Sequence, residues 1–295
     1  MIIDNAGGLV FRPPSEARSF ILRVTIGCSH NRCTFCSMYK DSKFRMRSLE
    51  EIDGIIDRGA LAMPFIRRLF LADGDALVLP TDHLIHIMEK CYASFPHLNR
   101  IGAYATPADL IRKTPAELER LRNAGLAIVY MGIESGDDEV LQHVCKGTTA
   151  ALTLEAGKKA LAAGMKLSAM ILLGLGGKSR TKEHARHTAE LVSALNPTML
   201  SALSLIIPQN APLYEEVQNG TFLPLTARGF LQELDSMLRH MTMKNPCIFR
   251  SNHVSNLLPV GGTLPKDREE MLADLEAYIP QADDIRPLLN DTGNF

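Results

Sequence analysis

Apolar segments rich in β-branched residues alternate along the chain with segments of helical periodicity. Continuous apolar runs of this kind predict strands that are buried on both faces. Six such strands are predicted, at 20–26, 67–72, 100–104, 126–132, 166–174 and 198–206. Segments with apolar residues every three or four positions predict helices at 48–60, 81–94, 114–125, 137–145, 149–163 and 180–195. Because each strand except the last is followed by helical sequence, the pattern predicts an α/β protein with a parallel sheet.

Capping residues mark the ends of two of these helices. Ser48, with Glu51 three residues later, has the arrangement of a capping box, in which each residue binds the other's backbone. Thr114 and Pro115 are typical of a helix start, and Gly125 is typical of a helix end. The helix boundaries therefore have a physical reason beyond hydrophobic periodicity.

Strand spacing limits the topology but leaves the architecture open. Intervals of roughly 30–40 residues match right-handed βαβ units. An open doubly wound sheet and a closed or partial barrel both satisfy this count. From residue 207 onward the alternation stops, and 207–295 contains predicted helices at 226–241 and 265–278, a polar segment between them and a Gly-Gly turn.

Composition places the chain among ordinary folded proteins. Hydrophobic residues make up 46% and charged residues 22%, and the formal net charge is −1. This charge argues against a general electrostatic hold on nucleic acid or anionic lipid. The first residues lack the basic start and apolar core of a signal peptide, and no apolar run reaches the roughly 18 residues of a membrane span. We therefore expect a cytoplasmic protein, in which clustered cysteines are more often ligands or catalysts than disulfides.

Three of the six cysteines, Cys28, Cys33 and Cys36, follow the first predicted strand in the segment GCSHNRCTFCSMYK. Three thiolates on one loop suit a [4Fe–4S] cluster with one iron left open. A structural zinc site needs a fourth ligand, which His30 or a distant cysteine could supply. Cys33 and Cys36 could also form a redox dithiol. Spacing alone leaves these alternatives open. The scattered Cys91, Cys145 and Cys247 are expected to be small hydrophobic residues.

Polar and glycine-rich residues follow the end of each of the six predicted strands. The segments are the cysteine loop, ADGDAL, YATPADL, GIESGDDEV, GLGGKSR and IIPQNAP. Because the carboxyl ends of parallel strands lie at one edge of the sheet, we expect one large site there. Asp73, Asp75 and Glu134 stand out as acids in these segments, although Asp-Gly is also a common turn pair.

These segments together resemble the radical S-adenosylmethionine (radical SAM) superfamily. Its hallmark is a C-x3-C-x2-C loop after the first strand with an aromatic residue before the last cysteine, as Phe35 precedes Cys36 here. Residues 73–75, DGD, stand where the family has a Gly-Gly-Glu-like motif. YATPADL and GIESGDDEVLQHVCKG are similar to a subgroup that includes methylthiotransferases and the oxygen-independent coproporphyrinogen oxidase. The likeness covers roughly residues 18–210. It departs in the first gap, which has four residues instead of three.

The resemblance implies an α/β fold with a partial (β/α)6 TIM-like barrel and a short C-terminal cap. It also divides the chain into an N-terminal extension at 1–17, the radical SAM core at 18–210, and a helical, substrate-side segment at 211–295. A [4Fe–4S] cluster is expected on Cys28, Cys33 and Cys36. The residues expected to bind S-adenosylmethionine (SAM) are Phe35, Asp73, Gly74, Asp75, Thr106, Glu134, Ser168 and Arg180. Arg180 could equally be a solvated surface residue.

The implied activity is reductive cleavage of SAM to a 5′-deoxyadenosyl radical that abstracts hydrogen from a substrate, either a small molecule or a modified biomolecule. An electron donor such as flavodoxin or ferredoxin is an expected partner, and a membrane is not. The candidate substrate residues are Asn210, Arg250, Asn252, His253 and Asn256, and the candidate catalytic residues are Cys145, Cys247 and His253. The alternatives are a zinc-stabilised binding module and an RNA-modifying radical enzyme, which the basic stretch at 43–47 permits. The chain has no second cysteine cluster, so methylthiolation is not expected.

Overall fold

The computed structural model describes residues 10–283, and its strands follow one another in a mostly parallel sheet. The strands are β1 (Phe20–Arg23), β2 (Thr25–Ile26), β3 (Arg45–Met46), β4 (Arg68–Ala72), β5 (Arg100–Tyr104), β6 (Leu126–Glu134), β7 (Lys166–Leu173), β8 (Met199–Ser204), β9 (Cys247–Ser251) and β10 (Val260–Leu264). The sheet order is β1-β4-β5-β6-β7-β8-β9-β10, and β2 pairs with β3 alone. All six predicted strands are therefore confirmed. The first is divided, because the chain leaves β1 at Val24 to pair with β3.

Helices follow the parallel strands as the sequence predicts. They are α1 (Leu49–Ala62), α2 (Thr81–Ser94), α3 (Pro107–Arg112), α4 (Pro115–Asn123), α5 (Asp138–His143), α6 (Ala150–Ala162), α7 (Gly177–Leu195), α8 (Leu213–Gln218), α9 (Ala227–His240) and α10 (Arg268–Tyr278). The short helices α3 and α8 are additions to the predicted set. The predicted capping box of Ser48 and Glu51 forms at α1, and Thr114 caps α4 as predicted, in a capping box with Glu117. No helix among these residues is long and apolar enough to cross a membrane.

The first of two compact units contains residues 10–31, 38–131 and 155–167 of the described chain. Within it β1, β4, β5 and β6 pair in parallel, with Phe20 opposite Leu69 and Leu69 opposite Ile101. The residues of β1 and the last four of β4 are buried, which explains why all of them except Arg23 are apolar. This parallel pairing puts Arg23 opposite Ala72, so the two strands end side by side.

The second unit contains residues 32–37, 132–154 and 168–283 of the described chain. Within it β8 pairs in parallel with β7 and with β9, and β10 runs antiparallel to β9. Helix α9 buries one face that includes Phe230, Glu233 and Met237. A carboxyl side chain on that buried face is unusual, because charged groups are seldom buried without partners.

Two strands in the C-terminal region were not predicted. The sequence pattern predicts a turn at Gly261 and Gly262, but both residues lie in β10, opposite Arg250 and Phe249 of β9. A β-carbon on Gly262 would lie 2.8 Å from the β-carbon of Asp267, so close packing requires glycine there. This segment becomes a strand because it pairs with β9, and a glycine-rich sequence gives no local sign of that pairing. The division of the chain at residues 17 and 210 stays a prediction.

Candidate functional site

Asp73 ties the segment after β4 to the end of β1. The Arg23 Nε donates to both carboxylate oxygens at 3.2 and 3.1 Å, and Nη2 donates to Oδ2 at 3.0 Å. The backbone N–H of Gly27 donates to Oδ2 at 3.2 Å. Both ionised side chains are buried, with exposed fractions of 4% and 0%. Asp73 was predicted to bind the cofactor, but these contacts commit its carboxylate to holding the start of the cysteine loop.

Gly74 lies directly against Cys28. Its N–H donates to the Gly27 carbonyl oxygen at 3.1 Å. A β-carbon at this position would be 2.5 Å from the Cys28 Cβ and 2.8 Å from its Cα, closer than such atoms approach. Only glycine therefore permits the cysteine backbone to lie where it does.

Asp75 completes this set of contacts at Ser29. The Ser29 N–H donates to Oδ1 at 3.2 Å, and the Ser29 hydroxyl donates to Oδ2. Burial raises the pKa of Asp75 to about 6, although the Ser29 hydroxyl counteracts this by stabilising the carboxylate. Residues 73–75 thus bind residues 27–29 one after another. We call this arrangement the DGD clamp.

The enlarged gap between the first two cysteines is accommodated at Asn31. Its backbone has a φ of 39°, in the left-handed region that asparagine tolerates better than most residues. The Asn31 side chain donates to the Tyr39 carbonyl oxygen at 2.7 Å, and Lys40 donates to the Asn31 carbonyl oxygen at 3.0 Å. These bonds close the loop on itself. Asn31 is therefore a loop-shaping residue in this structure.

The three cysteines of the loop are all partly exposed. The turn between Cys33 and Cys36 is held at Thr34, whose N–H donates to the Val144 carbonyl oxygen at 3.0 Å and whose own carbonyl oxygen accepts from Leu213 N–H at 2.9 Å. Among residues 10–283, no three His, Cys, Asp or Glu side chains are grouped as ligands of a single metal ion. A four-iron cluster does not require its ligands to meet at a single metal ion, because each thiolate binds a different iron.

Glu134 and Lys146 form an ion pair beside the Cys33–Cys36 turn. The Lys146 ammonium lies 2.8 Å from Glu134 Oε1, and Glu134 has a left-handed φ of 63°. Burial acts to lower the pKa of Lys146, but the negative charges of Glu134, Cys33 and Cys36 outweigh it and raise that pKa. Lys146 was not predicted as a site residue, although it stands in the GIESGDDEVLQHVCKG segment.

Two other predicted cofactor residues are engaged in helix capping. Arg180 donates to Asp137, the N-cap of α5, with its closest contact at 2.9 Å, and it also contacts Glu139 at 2.5 Å. The Thr106 hydroxyl donates to Asp109 at 2.7 Å in the capping box of α3. Both side chains therefore have a local structural role, and their contact with SAM stays a prediction.

Ser168 lies in the wrong part of its strand for the predicted cofactor contact. It is buried at the third position of β7, five residues before the strand ends at Leu173. At about 3.3 Å per residue, this places it roughly 16 Å from the carboxyl end of the strand. Phe35, in contrast, lies between Cys33 and Cys36 on the loop and is partly exposed.

The predicted C-terminal residues divide between the two ends of β9. Asn256 accepts from the Ser204 hydroxyl at 2.8 Å and donates to the Ala202 carbonyl oxygen at 2.8 Å, which places it at the carboxyl end of β8. His253 is near it, bonded through Nδ1 to Ser255 at 2.8 Å, and burial lowers its pKa. These two residues lie where parallel strands carry their sites.

The other C-terminal candidates lie elsewhere. Cys247 begins β9 beside the start of β8, at the opposite end from Ser204, and burial raises its thiol pKa to about 12. Its candidate catalytic role stays a prediction. Arg250 is exposed and donates to the carbonyl oxygens of Phe249 and Gly262 at 2.6 and 3.1 Å. Asn210 and Asn252 are exposed, and Cys145 is an exposed residue with a φ of 53°.

A family model described as the radical SAM superfamily matches residues 22–192, more than half of the chain. Among solved structures, coproporphyrinogen III oxidase (HemN) from Escherichia coli is 17% identical with a TM-score of 0.58, over 75% of this chain and 51% of that one. The cobalamin- and [4Fe–4S]-bound methyltransferase TsrM from Kitasatospora setae is 20% identical with a TM-score of 0.56, over 68% of this chain and 39% of that one.

A third similar structure is methylornithine synthase (PylB), which is 16% identical with a TM-score of 0.52, over 76% of this chain and 63% of that one. The chain thus spans less than two thirds of each of these proteins. No curated protein matches it. The likeness confirms the predicted fold class, the α/β partial barrel of these enzymes. Together with the family match, it shows that the chain belongs to the radical SAM superfamily.

Proposed function

We propose that this chain is a radical SAM enzyme that holds a [4Fe–4S] cluster on Cys28, Cys33 and Cys36 and binds SAM next to it. The observation that carries the proposal is the DGD clamp, in which residues 73–75 fix residues 27–29 at the start of the cysteine loop. A buried ion pair and a required glycine maintain one particular path for a loop that is otherwise rich in polar residues. Contacts that hold the loop in one conformation indicate that the positions of its thiols matter for function.

The residues fit the cluster in three respects. The thiols are partly exposed, so iron and sulfide can reach them. The absence of a side chain at Gly74 lets Cys28 lie directly against the segment after β4. Lys146 supplies positive charge near Cys33 and Cys36, which favours their thiolate forms. When bound, the cluster and SAM supply one-electron reductive cleavage to a 5′-deoxyadenosyl radical, which abstracts hydrogen from a substrate.

The chain's own part is to bind and orient SAM and to exclude water. Asp75 has acceptor capacity beyond its two bonds to Ser29, so its carboxylate can also accept from the SAM ammonium. Glu134 can accept from the ribose hydroxyls through the oxygen that Lys146 does not contact. Lys146 can exchange part of its contact with Glu134 for the SAM carboxylate. Phe35 supplies an apolar ring for the adenine.

His253 and Asn256 are the residues proposed to contact the substrate, because they lie at the carboxyl end of β8. They offer a neutral imidazole and an amide, which suits a polar small molecule. A low-potential protein such as flavodoxin or ferredoxin is the proposed electron donor, and the cytoplasm the proposed compartment.

The test uses the full chain reconstituted anaerobically with iron and sulfide. We expect about four irons and four sulfides per chain, and formation of 5′-deoxyadenosine from SAM when dithionite or reduced flavodoxin is added. Cys36→Ala should lose both properties. Cys91→Ala, which removes a buried thiol from α2, should retain them.

Three outcomes would contradict the proposal. One zinc and no iron per chain would favour the zinc-stabilised module. Retention of a four-iron cluster in Cys36→Ala would reassign its ligands. A complete cluster with no SAM cleavage under strong reduction would show that the chain uses the cluster for another purpose.

A further inference from the structure

A connected set of buried polar side chains lies in the second unit, next to the ends of β6 and β7. Ser135 follows β6, His184 lies on α7 and Glu233 lies on α9, and all three are buried. His184 Nδ1 is 2.8 Å from Ser135 Oγ, and its Nε2 is 3.6 Å from Glu233 Oε1. The proposed function assigns none of these residues a task. Buried polar groups of this kind are costly unless each one is hydrogen-bonded.

The hydrogen bonds around His184 define its proton. Ser135 Oγ accepts from the Asp137 N–H at 2.9 Å, so its own proton can be donated to His184 Nδ1. The ring then carries its proton on Nε2, which is 3.2 Å from the Leu172 carbonyl oxygen. Because a carbonyl oxygen can only accept, the contact with Leu172 assigns a proton to His184 Nε2. The imidazole thereby joins the segment after β6 to Leu172, the residue before the last one of β7.

Glu233 binds the residue that follows β7. Its Oε1 accepts from the Gly174 N–H at 2.6 Å, and its Oε2 accepts from the Thr181 hydroxyl. Gly174 has a left-handed φ of 80°, and a β-carbon there would lie 2.4 Å from the ring of Phe230. Helix α9 therefore fixes the backbone of this turn through one carboxylate and one aromatic ring.

The segment after β6 is also fixed against α7. The Gly136 N–H donates to the Thr188 hydroxyl at 2.9 Å, and a β-carbon on Gly136 would lie 2.2 Å from the His187 carbonyl oxygen. Glu134, immediately before Ser135, has its left-handed backbone conformation within this arrangement. A strained conformation of this kind persists only where neighbouring contacts determine it.

We propose that His184, together with Glu233, is a positioning residue that holds the turns at 134–137 and 174–177 in one fixed arrangement for binding the adenosine part of SAM. The proposal rests on the proposed function, because it takes Glu134 as the ribose ligand. His184 itself touches no cofactor. It acts by keeping Glu134 and the Gly174 backbone in the geometry that the ligand requires before the ligand arrives.

The test compares His184→Leu, which removes both hydrogen bonds, with His184→Gln, whose amide can accept from Ser135 and donate to Leu172. In reconstituted protein, we expect His184→Leu to weaken SAM binding about tenfold in equilibrium dialysis without changing the iron content. His184→Gln should retain most of the affinity. In cluster-free protein, amide hydrogen exchange at 134–137 and 174–177 should be faster in His184→Leu than in the wild type. Ser135→Ala, a milder change, should act in the same direction.

Val192→Ala is the matched control, because Val192 is buried on the same helix and lies outside the network. It should lower stability without changing SAM affinity or exchange in the two turns. Equal SAM affinity in wild type and His184→Leu would overturn the inference, as would an equal loss of affinity in Val192→Ala. Failure of the wild type to bind SAM would instead contradict the proposed function. In that case the exchange measurement would still decide whether His184 couples the two turns.

Discussion

Arg23 and Asp73 form a buried, two-point ion pair where β1 and β4 end side by side, with N···O distances of 3.0 to 3.2 Å. The carboxylate also receives the Gly27 N–H. An acid that the sequence suggested as a cofactor ligand thus becomes an anchor for the loop that carries the cysteines.

The ion pair gives a prediction about stability. Arg23→Met should lower the free energy of unfolding of the cluster-free protein by about 3–5 kcal/mol, because the Asp73 carboxylate would stay buried without its partner. The double variant Arg23→Met/Asp73→Asn should recover part of this loss, because the amide is neutral and asparagine tolerates the left-handed φ of 74° at this position. Urea unfolding of the wild type, the single variant and the double variant measures these differences in the free energy of unfolding. A double variant less stable than Arg23→Met alone would show that the pair is not the source of the loss.

Gly74→Ala should prevent cluster assembly. Its β-carbon would lie 2.5 Å from the Cys28 Cβ, so the cysteine or the segment after β4 must move. We expect iron per chain after reconstitution to fall to less than about half, even at a temperature where the variant remains folded. Gly54→Ala in α1, where the new methyl group meets only the end of the Arg58 side chain, should keep full iron content. Normal iron content in Gly74→Ala would show that the loop adapts.

Asp75 predicts a pH dependence of stability. Its pKa of about 6 in the folded protein lies above its ordinary 3.8, so the folded protein binds more protons than the unfolded one between pH 4 and 6. Stability from this group therefore decreases as pH rises through that window, by on the order of 3 kcal/mol. Asp75→Asn should be more stable relative to wild type at pH 7 than at pH 4. Urea unfolding at both values measures the difference, and a difference that does not change with pH would contradict it.

The ion pair between Lys146 and Glu134 leads us to expect that Lys146 contributes to SAM binding. Lys146→Gln should weaken SAM binding roughly tenfold, because Glu134 loses its ion-pair partner and the SAM carboxylate loses a cation. Lys146→Arg should lose less. Lys158→Gln, which removes an exposed charge on α6, serves as the control in the same equilibrium dialysis. If Lys146→Gln and Lys158→Gln weakened SAM binding equally, the effect would come from the loss of one positive charge anywhere on the chain and not from the contact with Glu134.

The sequence by itself determined the elements and their order. Six mostly apolar runs become strands because burial on both faces favours apolar side chains at successive positions, and Ser48 and Thr114 begin helices because their side chains satisfy exposed backbone N–H groups. The sequence also predicted that the polar segments after the strands lie together, since parallel strands bring their carboxyl ends to one edge of the sheet. The cysteine loop, Glu134 and the DGD segment were therefore found without coordinates.

The tertiary structure decided what each of these side chains binds. Asp73 and Asp75 are chemically alike and two residues apart, yet one binds Arg23 and the other Ser29. Arg180 pairs with Asp137, the N-cap of α5, and Cys247 begins β9 beside the start of β8, because strand direction and helix packing set their neighbours. His184 and Glu233 are 49 residues apart in the sequence, and no periodic pattern marks them as partners. Contacts between distant segments depend on how the chain folds back on itself, which local sequence patterns do not encode.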